Sequence, residues 1–202
     1  MMKPQLLLVL SVIFFLSGCA TTPPSNPNNI CDIFEDKSDW YKSAKRAEDK
    51  WGSSIPIMMS MMYQESAFRQ NAKPPRTRIL WIFPGPRASN AYGFAQVKSE
   101  TWEDYQQSTG NTWGRRDRFR DAIDFVGWYN AQSQVRSKIK LNDTYNLYLA
   151  YHEGHGGFNK KTYSNQAWLK STAQKVATRA AQYAKQLQQC ENDLQRIHWW
   201  PF

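Results

Sequence analysis

One carboxylate, Glu65, sits at the end of a run rich in methionine: Ile55-Pro56-Ile57-Met58-Met59-Ser60-Met61-Met62, followed by Tyr63-Gln64-Glu65-Ser66-Ala67-Phe68. A carboxyl held against apolar side chains resists ionisation and keeps its proton near neutral pH, which is the state a general acid needs. On a helix, Met58, Met62 and Glu65 fall at i, i+4 and i+7, with Met61 on the same side. The carboxyl therefore shares the oily face, and Gln64 points away from it. Glu65 also lies in the last turn, where the negative end of the helix dipole disfavours a carboxylate. Spacing alone leaves a second reading equally open, a surface glutamate on a frayed helix end.

Helices must position this group, and the pattern is helical almost throughout. Ser38 opens a helix carrying Trp40, Ala44, Ala47 and Trp51 at helical spacing, ended by Gly52. Ser53 or Ser54 with Pro56 opens the methionine helix, which runs to about Phe68. Residues 72–90 break the pattern: two Pro/Arg clusters bracket Ile79-Leu80-Trp81-Ile82-Phe83, a short apolar run of strand or loop type. Ser99 starts a helix through Trp102 and Tyr105 to near Gly110. A long one follows from Asp117 to about Lys138, with Phe119, Ile123, Val126, Tyr129 and Ser133 on one face. Asn142 or Asp143 caps another through Glu153, broken by Gly154, Gly156 and Gly157, and a last helix spans about Asn165 to Leu194. The expectation is one all-α domain with a short irregular or β-like insertion.

The N-terminus has the features of an export leader. Lys3 gives a positive start, Leu6 to Leu16 an apolar stretch too short for a comfortable membrane span, and Leu16-Ser17-Gly18-Cys19 a small-residue cleavage site. Leu-Ser-Gly-Cys resembles the lipobox of bacterial lipoproteins, which implies a signal peptide over 1–18 and acylation of Cys19. Ala20 after that Cys implies sorting to the outer membrane, facing the periplasm. Residues 19–30, rich in Pro, Asn and Ser, read as a flexible tether, leaving 31–202 as the folded domain. Cys31 and Cys190 then remain as an even pair in an oxidising compartment and are expected to form a disulfide.

The formal net charge of +9 points to polyanionic partners. An exported, anchored chain meets little nucleic acid, so a nucleic-acid binder is excluded on that reading. The nine Trp and ten Tyr suit stacking on sugar rings as well as core packing. His152 and His155 lack supporting Cys or Asp spacing for a metal site, and no metal or cofactor is expected.

Three stretches occur in a telling order: Glu65-Ser66-Ala67-Phe68, then Ala91-Tyr92-Gly93-Phe94-Ala95-Gln96, then Ala150-Tyr151-His152-Glu153-Gly154. They resemble the successive motifs of the soluble lytic transglycosylase (SLT) family, roughly Glu-Ser-x-Phe, Gly-Ala-x-Gly-Leu-x-Gln and Ala-Tyr-Asn-x-Gly, over about residues 50–185. The resemblance implies a lysozyme-like helical bundle acting on peptidoglycan glycan strands. It makes Glu65 the sole acid and then base in a non-hydrolytic cut that leaves 1,6-anhydro ends. It also implies that Ser66 supports Glu65 by hydrogen bonding. Tyr92, Gly93, Phe94, Gln96, Tyr151 and His152 are implied substrate-binding positions, Gln96 through polar contacts and Tyr151 by lining the cleft. Outside the glycan and a lipid bilayer no partner is expected, and the chain should be a monomer.

The sequence departs from that pattern in several places. Residues 73–87 are inserted, with Trp81 and Phe83 expected either to wall the sugar subsites or to pack on the core. Phe94 and Tyr92 replace the usual Leu and small residue, and His152 replaces Asn. In the late Thr-x-x-Tyr-Val pattern, Lys175 stands where Tyr is usual, leaving Tyr151 or Tyr183 as alternatives. Glu153 offers a second carboxylate, which would permit a lysozyme-type hydrolysis; its place before Gly154 also suits a solvated helix end. A non-catalytic wall-binding lipoprotein is the alternative from outside the enzymes.

Overall fold

The computed structural model describes residues 21–79 and 83–198. The leader, Cys19 and Leu80–Ile82, together with the side chains of Ile79 and Phe83, lie outside what it describes. Among the described residues the chain forms α1 (Ile30–Asp36), α2 (Ser38–Trp51), α3 (Ile55–Ser66), β1 (Arg76–Ile79), β2 (Phe83–Arg87), α4 (Ser99–Thr109), α5 (Phe119–Ser137), α6 (Thr144–Asn159), a 3-10 turn at Thr162–Asn165 and α7 (Ala167–His198). The mainly helical expectation therefore holds, and the insertion is an antiparallel hairpin pairing Arg76 with Arg87 and Ile79 with Phe83. Among these residues no helix is long and apolar enough to cross a membrane.

α3 is the central element. It is buried around nearly its whole circumference, from Ile55 to Met62, because it carries almost no polar face. Glu65 is thus drawn inward by a helix surrounded on every side, and the methionine stripe is only one part of that enclosure. α5 and α7 pack against α3, α2 packs on α5, and α6 bridges α5 and α7. The junction of α2 and α5 is aromatic: Trp40 stacks flat on Phe119 at 3.9 Å between centroids, and Phe94 meets Trp40 edge-on at 5.6 Å. Asp124 on α5 accepts from Trp51 Nε1 at 3.0 Å and from the Tyr105 hydroxyl at 2.5 Å, joining α2 and α4 to the same helix.

α3 stops abruptly one residue after the carboxylate. Ala67 and Phe68 both take positive φ, 49° and 59°, a conformation that costs roughly 1–2 kcal/mol per non-glycine residue. The burial of Phe68, with no exposed surface and rings of Trp40 and Tyr63 each 5.7 Å away, offsets that cost.

The N-terminal segment differs from a free tether. Pro24 is buried, Ser25 donates its N–H to Asp36, and the Tyr183 hydroxyl donates to the carbonyl of Pro27. Arg179 bonds the Asn28 side chain at 3.1 Å, and the Gln186 amide binds both the Ile30 N–H and the Asn28 carbonyl. Residues 21–29 therefore lie as a strap on the domain. Its tether-like composition hid this because most of its contacts are made by polar groups reaching from α7. α1, unforeseen in the sequence, continues the strap and buries Ile30, Ile33 and Phe34. The expected Cys31–Cys190 disulfide is present, joining α1 to α7 across 159 residues.

Candidate active site

Glu65 opens onto a cleft of about 450 Å³. The cleft is walled by Pro74 and Pro75 from the hairpin base, by Gln96 and Val97 from the turn before α4, and by Tyr129 on α5. Tyr151, His152 and Glu153 on α6 complete it. That size fits a small-ligand or sugar site. Solvent still reaches Glu65 through the cleft mouth. The surrounding protein is dense enough that burial pushes its carboxyl up from 4.5 to about 7, and a side-chain hydrogen bond from Tyr148 pulls the other way. Near neutral pH this group is poised between acid and base.

Tyr148 escaped the sequence reading. It is buried on α6, one turn before Tyr151, and it is the tyrosine that faces Glu65. Tyr148 and Tyr151 at i and i+3 was the available signal, since the two must share a helix face. Lys175, at the position where the resemblance expects a tyrosine, is exposed, and Tyr183 is committed to the strap. Burial first, and then the Glu65 charge, hold the phenols of both Tyr148 and Tyr151 above their usual range, so both stay protonated donors. Replacing Tyr148 by Phe removes the influence that lowers the Glu65 pKa. The basic limb of the pH–rate profile should then move to higher pH by about half a unit or more, measured as kcat/KM against pH.

The other expected residues are placed as follows. Ser66 is buried and its hydroxyl donates to the Met62 carbonyl at 3.3 Å; among the described residues it makes no bond to Glu65. It closes the helix end behind the carboxylate, because its rotamer favours the i−4 carbonyl. Tyr92 and Phe94 are not on the cleft wall. Tyr92 donates to Asn71 or Asp117 under the cations of Lys73 and Arg116, and Phe94 is in the aromatic core with 1% exposure. The ring at 94 turns inward because its N–H is drawn to the Arg116 carbonyl.

What this motif builds is a clamp. Gln96 Nε2 donates to the Ala72 carbonyl at 2.8 Å and to that of Gly93 at 2.9 Å, and the Tyr151 hydroxyl donates to the Ala95 carbonyl at 2.6 Å. The turn thus fastens the chain leaving α3 to the tyrosine of α6 across the cleft. Gln96 and Tyr151 both line the cleft, and with Nε2 engaged Gln96 presents its remaining oxygen as an acceptor. Gly93 makes the turn feasible: its φ is 80°, and a Cβ there would lie 2.1 Å from the Arg116 carbonyl oxygen. Gly93→Ala should cost about 3 kcal/mol or more, from the left-handed conformation plus a backbone clash, seen as a fall in the urea midpoint and loss of activity together.

His152 and Glu153 sit on the rim. His152 Nδ1 is 3.1 Å from Glu153, and its ring stands edge-on to Trp168, which is 58% exposed and went unremarked in the sequence. Glu153 is not a solvated helix end: Thr162 and Gln166 donate to its Oε2, and chiefly the Thr162 bond holds its pKa below the usual carboxylate range. Its oxygens are therefore occupied and ionised. At Gly154 the helix kinks, with φ 73° and ψ 158°. The kink turns His155 away toward Ser133, 2.9 Å from its Nε2, where it stacks on Tyr129 and burial keeps it neutral with a pKa of about 4. The two histidines thus face different surroundings, and among the described residues no cluster of three metal-ligating side chains occurs.

Comparison with known proteins agrees with this arrangement. No curated protein matches the chain. The family model for the transglycosylase SLT domain matches residues 7–190, nearly the full length. By the extent of that match, the chain belongs to the transglycosylase SLT family.

Proposed function

We propose that the protein is a lytic transglycosylase that cuts the bond between N-acetylmuramic acid and N-acetylglucosamine in peptidoglycan without adding water. The observation that carries this reading is Glu65, a carboxyl with a pKa near 7 on a cleft wall. Protonated, it donates to the glycosidic oxygen as the bond to the leaving sugar breaks. The muramoyl acetamido oxygen stabilises the developing charge at C1, a task a second carboxylate performs in many glycosidases. Glu65, now ionised, takes the proton of the C6 hydroxyl as that oxygen bonds C1, and the 1,6-anhydro ring closes. The group thereby regains its starting proton.

A hydrolytic reading has one observation in its favour, the presence of Glu153 on the same cleft. Against it, both Glu153 oxygens are engaged by neighbours and its pKa is lowered, so a water has no free basic oxygen to use there. Tyr151 and Gln96 are assigned to holding the sugars, with His152 and Trp168 at the rim. Export and acylation of Cys19 would place the cleft in the periplasm, tethered to the outer membrane and acting as a monomer. The purified protein should release soluble fragments from sacculi, with Glu65→Gln releasing none. Sacculi left intact by the wild type would sink the proposal.

A further inference from the structure

Among the described residues lining the Glu65 cleft, Lys98 is the one lysine or arginine. It is exposed, and among the described residues its ammonium has no ion-pair or hydrogen-bond partner. Glu100, two residues on, accepts instead from Asn90 Nδ2 at 3.0 Å. The fold gains nothing from a cation at this position. Lys98 is the residue that caps the start of α4, yet its side chain makes no capping bond. Ser, Thr, Asp or Asn there would bond an N–H of the first turn, and the positive end of the helix dipole disfavours a positive side chain. The ammonium thus stands against local preference, on the wall of the cleft.

Nothing else in the cleft answers that charge. Glu65 is uncharged in its acid form, and the Glu153 carboxylate is held on α6 by Thr162 and Gln166. Sugar hydroxyls and acetamido groups are neutral, and Gln96 and Tyr151 line the cleft to meet them. A free ammonium is suited to an anion on the substrate, where a charge-assisted hydrogen bond forms. The Thr101 hydroxyl lines the same cleft and among the described residues has no hydrogen-bond partner, so it can serve as a second donor. We infer that Lys98 is a specificity-determining residue that holds a carboxylate carried by the muramoyl residue of the substrate. This rests on the peptidoglycan reading proposed above. In such a strand the carboxylate belongs to the peptide joined to the lactyl group, or to the lactyl group itself where the peptide has been removed. Glycans built of N-acetylglucosamine alone carry none. Lys98 therefore selects which polymer enters, and Glu65 performs the chemistry on it.

The Glu65→Gln protein binds without turnover, so calorimetry on it reads affinity alone. Three ligands are compared: a peptidoglycan tetrasaccharide with its stem peptides, the same fragment after an amidase has removed them, and chitotetraose. Adding Lys98→Asn should raise the Kd for a carboxylate-bearing fragment about threefold or more, and Lys98→Glu about tenfold or more. Lys98→Arg should keep the affinity, chitotetraose should bind all the variants alike, and the differences should shrink in about 0.5 M salt. The Tm of Lys98→Asn should hold or rise, because Asn caps α4, which separates lost affinity from lost fold. Weakening confined to the peptide-bearing fragment assigns the contact to the stem peptide, and weakening that extends to the amidase-treated one assigns it to the lactyl carboxylate. Equal affinity of Lys98→Glu for both fragments, an equal loss for chitotetraose, or no binding of either fragment would overturn the inference. If the wild type cuts sacculi alongside such a result, the failure is confined to Lys98; sacculi left intact would sink the peptidoglycan reading as well.

Discussion

Glu65→Gln is expected to lower turnover by roughly 10³-fold or more, the scale of losing a general acid that is also the base. The amide has the same shape and can still accept from Tyr148, but it has no proton to give at neutral pH. The fold should become more stable in alkaline solution. In the native state the Glu65 pKa is about 7 against 4.5 for the free group. Between these values the unfolded chain releases the proton first, so native stability falls as pH rises through this window. Below about pH 4.5 both states are protonated and nothing is lost; above about 7 the full cost of a desolvated carboxylate is present. Because solvent still reaches the group, that cost is on the order of 1–3 kcal/mol. Chemical denaturation at pH 8 should therefore show the inactive variant more stable than the wild type, and the two should converge near pH 4. An unstable Glu65→Gln variant would mean that the carboxylate is structural. For the wild type, kcat/KM should fall as pH rises through about 7, where the acid form disappears.

Removing the Cys31–Cys190 disulfide should have the largest effect on stability. It closes a loop of 159 residues, and the chain-entropy model gives about 4–5 kcal/mol for a closure of that size. In a domain of this length that corresponds to a fall in Tm of roughly 10–20 °C. Cys31→Ser with Cys190→Ser should show it, measured calorimetrically against the oxidised wild type. The structure also says what fails first: α1 and the strap, whose remaining ties to α7 are the burial of Ile30, Ile33 and Phe34 and the polar grips of Gln186, Arg179 and Tyr183. Glu65 lies on α3, on which α7 also packs, so activity at 25 °C should persist and its loss on heating should move down with the Tm. A Tm unchanged by the double substitution would show that packing of α1 alone holds that end.

The sequence was legible where chemistry is local. α2, α3 and α4 run between Ser or Pro at one end and Gly or a left-handed residue at the other, so their bounds fell within a few residues of expectation. The perturbation of Glu65 was legible only in part: apolar neighbours on its own helix suggest it, but the same spacing left a surface glutamate on a frayed helix end equally open. Features that depend on distant partners were not. The strap looks like a tether until Tyr183 and Gln186, more than 150 residues away, are seen gripping its backbone. Ser66 and Phe94 stand in motif positions, but their roles are fixed by the Met62 carbonyl and the Trp40 ring, not by neighbours in the motif. Tyr148 sat in plain view outside any motif, and only the packing of α6 across the bundle aims it at Glu65. Glu153 needed Thr162 and Gln166 folded back on it before its character as a bound, ionised group emerged.

The central claim is that one carboxyl works first as acid and then as base, with the substrate's own hydroxyl in place of water. Mass spectrometry of sacculi digested with the purified protein in water enriched in oxygen-18 tests this directly. The account predicts 1,6-anhydromuramoyl ends without incorporated label, formed by the wild type and absent with Glu65→Gln. Reducing muramoyl ends carrying oxygen-18 would contradict it and establish hydrolysis.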